Sequence, residues 1–122
     1  MTLDPSRYNP ADVEAELLRF VGLLERATQE CRRRGIKSAE ADATFRTAYA
    51  KAMVAADSDP GVKVTVSERE ARAALATEVE YREKREAEEL LHAARSASSN
   101  LREMLGALRT IASNLRQLVD AR

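Results

Sequence analysis

Proline placement constrains this chain more than any other feature. Prolines stand only at positions 5, 10 and 60, so residues 11–59 and 61–122 contain none. Proline removes a backbone donor and clashes with the preceding turn, so two uninterrupted stretches of about fifty residues are free to be helical. The rest of the composition agrees. One third of the residues are charged and only 4% are aromatic, and the apolar share leans on Ala and Leu, as in long helices and coiled coils.

The first helix is expected to start at Asn9. Asparagine is a favourable N-cap, Pro10 suits the first helical position, and Asp12 and Glu14 place negative charge at the positive end of the helix dipole. Apolar residues follow at Val13, Leu17, Phe20, Leu24, Ala27 and Cys31, alternating spacings of four and three, which is a heptad seam. Arg32-Arg33-Arg34-Gly35-Ile36 resembles a helix C-terminus, and Ser38 could cap a new helix, giving three helices in all. The seam, however, resumes in phase at Phe45, Ala48 and Ala52, two heptads beyond Cys31. An interior glycine costs a helix only about 1 kcal/mol. One helix over 10–57, weakened or bent at Gly35, is the preferred reading.

Asp59-Pro60-Gly61 reads as a turn within a connection over 58–66, and the first nine residues read as a flexible N-terminus. The second helix, expected over 67–120, opens with a capping box, Ser67-Glu68-Arg69-Glu70, and Val66 is placed to staple onto Ala71. Residues 78–89 carry nine charges in twelve positions and read as a solvated face, with Glu78–Arg82 and Glu80–Lys84 spaced to pair. Beyond them the seam returns as Leu90, Ala94, Ala97, Leu101, Leu105 (or Met104), Leu108, Ile111, Leu115 and Leu118.

The expected fold is all-α: a single domain over 1–122, folded as a long antiparallel helical hairpin of coiled-coil character. Such a pair covers one stripe of each helix and leaves Leu18, Leu23, Leu91 and Val119 without cover, so a homodimer is expected. Net charge is zero, which disfavours a generally basic nucleic-acid binder. No apolar run is long enough to span a membrane, and the start lacks the pattern of a secretory signal, so a soluble, cytoplasmic protein is expected.

Little here resembles catalytic chemistry. His92 is the single histidine and Cys31 the single cysteine. His92, with Glu88 and Glu89 just before it, supplies at most half of a bundle di-metal motif. No phosphate loop or nucleophile elbow occurs. The expectation is a protein without enzymatic activity, cofactor, metal or small-molecule substrate.

The pattern that stands out is arginine. Arg95, Arg102, Arg109 and Arg116 recur every seven residues, as do Arg19, Arg26 and Arg33. From Arg95 onward there are five positive charges against two negative, whereas residues 58–94 carry six against nine. These rows could pair with Glu14, Glu16, Glu25 and Glu30 across the hairpin, bind an acidic protein partner, or contact a phosphate backbone. Surplus leucines and clustered arginine place the binding surface in the terminal half of the hairpin.

Three segments, Tyr49-Ala50-Lys51-Ala52, Thr65 through Ala71 and Thr77 through Tyr81, carry a family likeness. Over residues 45–115 the chain resembles small helical proteins of actinobacterial and other Gram-positive phages, often encoded among early recombination and replication genes. The resemblance implies a binding role in the bacterial host cytoplasm and brings no catalytic residues with it.

Overall fold

The computed structural model describes residues 9–57, 61 and 63–121. They form three helices, α1 (Pro10–Asp57), α2 (Val66–Ala76) and α3 (Glu78–Asp120), and no strand occurs among them. The expected flexibility of the first nine residues lies, but for Asn9, outside the described residues, as does most of the Asp-Pro-Gly turn. Gly61 takes a φ of 102°, a left-handed conformation that glycine adopts without steric cost.

The expected start of α1 is present. The Asn9 side-chain oxygen accepts a hydrogen bond from the Ala11 N–H at 3.0 Å, and the Asn9 carbonyl accepts from the Val13 N–H at 3.1 Å. α1 then runs unbroken through Gly35. Buried and half-buried residues keep the heptad phase on both sides of that glycine: Val13, Leu17, Phe20, Leu24, Ala27 and Cys31 before it, Ser38, Ala41, Phe45, Ala48 and Ala52 after it. A Cβ built on Gly35 would meet only Leu91 Cδ1, at 4.0 Å, an ordinary van der Waals contact. Gly35→Ala should therefore stabilise the protein by about 0.5–1 kcal/mol through a less flexible unfolded chain. A thermal melt showing a higher Tm checks it, and an unchanged or lower Tm contradicts it.

The second helical stretch differs from expectation in two places. Its N-cap is Thr65, not Ser67: the Thr65 hydroxyl accepts from the Glu68 N–H at 3.2 Å, and Val66 becomes the first helical residue. Val66 is therefore an exposed part of the helix and no staple onto Ala71. The stretch also divides at Thr77, whose backbone turns to φ −116°, ψ 21°. Thr77 is 2% exposed, and its hydroxyl donates to the Ala73 carbonyl at 2.7 Å, the same carbonyl that accepts the Thr77 N–H at 3.1 Å. A threonine hydroxyl bonded back to the preceding turn bends a helix, and here it separates α2 from α3.

The chain divides into two compact units, one from residues up to Cys31 with those from Ala93 on, the other Arg32–His92. In the first, α1 packs against α3 through two apolar clusters. Val13 meets Ile111 and Leu115, with Leu17 and Ala112 beside them, and Phe20 meets Leu105 and Leu108, with Leu17, Leu23, Leu24 and Leu101 around them. This packing of α1 against α3 is consistent with a helical hairpin. Leu23, expected to lack cover, packs into the second cluster. Leu18 is 75% exposed and remains uncovered.

The Arg32–His92 unit has little deep core. Among the described residues its buried ones are Ala73 and Thr77, with half-buried side chains and aromatic and charged contacts around them. Phe45 packs edge-on against Tyr81 at 5.5 Å and tilted against Tyr49 at 5.8 Å. The Lys84 ammonium lies 5.2 Å from the Phe45 ring centre and bridges to Asp42 at 3.5 Å and Glu88 at 3.7 Å. Lys84 thus pairs with Asp42 and Glu88 and not with Glu80. The Glu78–Arg82 pair forms as expected, at 3.6 Å.

Candidate arginine surface and terminal cleft

On α3 the inward positions are Leu91, Ala94, Ser98, Leu101, Leu105, Leu108, Ile111 and Leu115. The expected seam is corrected by one residue at two points: Leu91 is half-buried where Leu90 is 47% exposed, and Ser98 is buried where Ala97 is exposed. Leu105 is buried and Met104 is 48% exposed, which resolves that alternative. Leu118 is 59% exposed and falls outside the core.

Arg95, Arg102, Arg109 and Arg116 each follow directly after Ala94, Leu101, Leu108 and Leu115, so they form one row beside the buried ladder. All four are exposed. None has an ion pair or hydrogen bond within the described residues. Cross-helix pairing of this row with Glu14, Glu16 and Glu25 is therefore not what the structure contains. Glu16 is engaged within its own helix, by Arg19 at 2.9 Å. The hydrogen bond from Arg19, and secondarily its charge, hold the Glu16 carboxyl below the ordinary carboxylate range.

The α1 arginines are less uniform. Arg19 is held by Glu16, with its guanidinium carbon 4.9 Å from the Phe20 ring centre. Arg26 is exposed, and Arg33 is exposed with a contact of its own. Arg33 also belongs to the other compact unit. The α3 row is thus the uniform one: its four members are all exposed and without ion pairs among the described residues, whereas on α1 only Arg26 shares both properties.

At the open end of the same unit lies a cleft of about 330 Å³. Val13, Ala112, Leu115 and Val119 form its apolar lining, and Glu14, Arg116 and Asp120 supply charge. Val119, expected to be bare, borders this cleft and is 61% exposed. Arg116 joins the cleft to the arginine row. Sequence periodicity placed the row; the cleft, between the first turn of α1 and the last turns of α3, is announced by no periodicity.

Elsewhere chemistry is sparse. Cys31 is half-buried and His92 exposed. Among the described residues no three His, Cys, Asp or Glu side chains converge on a metal site, and no helix is long and apolar enough to cross a membrane. The chain matches no protein-family model, no curated protein and no solved structure significantly.

Proposed function

We propose that this chain is a non-enzymatic helical interaction protein, an antiparallel hairpin that binds an acidic protein partner along the α3 arginine row. The observation that carries the reading is the row itself: four exposed arginines at intervals of seven, without partners among the described residues. Arginine left solvated beside a leucine ladder is the residue type that interfaces favour and that makes hot spots.

The spacing favours another helix over nucleic acid. Seven residues rise about 10.5 Å along an α-helix, so a partner helix with carboxylates at heptad spacing meets every arginine in turn. A duplex backbone curves away from a straight row after one or two contacts. Net charge is zero, and no aromatic residue lies between Arg95 and Arg122 to stack on single-stranded bases. An apolar side chain of the partner fits the terminal cleft beside Arg116. The likeness to phage proteins would place such a partner in the bacterial cytoplasm.

Deleting residues 110–122 would make a poor test, because it strips Ile111 and Leu115 from Val13 and so reads loss of fold. The double substitution Arg102→Glu/Arg109→Glu leaves the buried ladder intact. Cross-linking capture from host lysate should lose the wild-type partner with this variant, while circular dichroism stays unchanged. Nucleic acid is the second reading, and titration with duplex DNA discriminates it. Affinity that falls steeply with salt and vanishes in the same variant would replace the protein-partner reading.

A further inference from the structure

The side of α3 away from the arginine row carries a second periodic seam. Ala97, Met104, Ile111 and Leu118 form one of its lines, and Asn100, Ala107 and Asn114 form the other, so the spacing alternates three and four. All but Ile111 are exposed, with Met104 at 48% and Leu118 at 59%. One third of this chain is charged, yet none of these seven positions is. A helix packed on one neighbour has two seam lines and one flanking line; here the uncharged surface extends one line further, to Asn100, Ala107 and Asn114.

We infer that this seam binds a second copy of the same chain, α3 against α3, parallel and in register. The asparagines set the occupant and its direction. In antiparallel pairing every layer joins one line to the other, so each carboxamide would be buried against Ala, Met, Ile or Leu, at the cost of an unpaired amide. In parallel, in-register pairing each layer meets its own copy, and Asn100 faces Asn100 and Asn114 faces Asn114, where one amide donates to the other's oxygen. Seam asparagines are known to fix register and oligomeric state in this way. The bordering line Ser96, Glu103, Thr110 and Gln117 carries a single charge, so parallel packing opposes no row of like charges.

Because the arginine row lies on the other flank, self-association leaves it open.

Sedimentation equilibrium across micromolar concentrations tests the seam. Wild type should sediment at twice the chain mass. Ala107→Glu, at an exposed helical position, should weaken association about 100-fold or more by burying like charges face to face, while Leu18→Glu should not. Wild type at a single chain mass at tens of micromolar, or a doubled mass retained by Ala107→Glu, overturns the proposal. Register is read independently in a Cys31→Ala background: Asn114→Cys should oxidise readily to a covalent dimer, and Arg109→Cys should not. A doubled mass without the Asn114→Cys cross-link overturns the parallel arrangement, and this arm holds even if Ala107→Glu fails to fold.

Discussion

Phe20→Ala should cost about 3–5 kcal/mol, the range for removing a buried aromatic ring from a packed core. The ring is 6% exposed and lies against Leu105 and Leu108, with Leu17, Leu23, Leu24 and Leu101 closing around it. Two packed helices have limited freedom to collapse into the space, because seam positions are fixed by the heptad spacing of both backbones. Most of the transfer and cavity terms should therefore be felt. The buried apolar side chains of this unit are Val13, Phe20, Leu105, Leu108, Ile111 and Leu115, so one ring is a large share of the core. Urea unfolding followed by circular dichroism should show a much lower midpoint for Phe20→Ala. Leu18→Ala, at a side chain 75% exposed, should change the midpoint little. Equal effects of the two substitutions would mean that the Phe20 cluster is not the core.

The α1 seam was legible because Val13, Leu17, Phe20 and Leu24 keep the four-three spacing, with Glu14, Glu16 and Arg19 marking the outer face. Phase through Gly35 was legible for the same reason, since Phe45 marks the seam again two heptads on. Where contrast is low, periodicity slips by one: Leu90 and Leu91 are identical in hydropathy, and Ala97 and Ser98 are both small. The cap was ambiguous in the sequence, because Thr65-Val-Ser-Glu68 and Ser67-Glu-Arg-Glu70 are overlapping boxes of the same form. The structure takes the earlier one, which starts α2 two residues sooner. Thr77 was missed for a different reason. A threonine in a helical run is unremarkable until its burial is known, and only then does its hydroxyl's bond to Ala73 carry the bend. Of the candidate surface, arginine spacing was readable and pairing was not. Whether Glu16 turns to Arg19 on its own helix or across to α3 depends on side-chain rotamers, which the sequence leaves open.

Ala73 should be the position least tolerant of charge. It is 0% exposed, one turn before the buried Thr77, while the next residue, Ala74, is exposed. Glutamate is nearly as good a helix former as alanine, so Ala73→Glu and Ala74→Glu differ chiefly in burial. At the first position the larger side chain overpacks the site and its carboxylate loses water. The combined cost should be about 3 kcal/mol or more at pH 7, and Ala74→Glu should stay within ~0.5 kcal/mol of wild type. The pH dependence separates the two contributions. Burial raises the introduced carboxyl's folded pKa above its unfolded value, so the folded state binds a proton more readily and is relatively favoured as pH falls. The stability gap between the two variants should therefore narrow from pH 7 to pH 4, leaving the steric part. Thermal melts at both pH values measure it. A gap that is absent at pH 7 would show that Ala73 is not enclosed, and one that widens toward pH 4 would exclude a desolvated carboxylate as its cause.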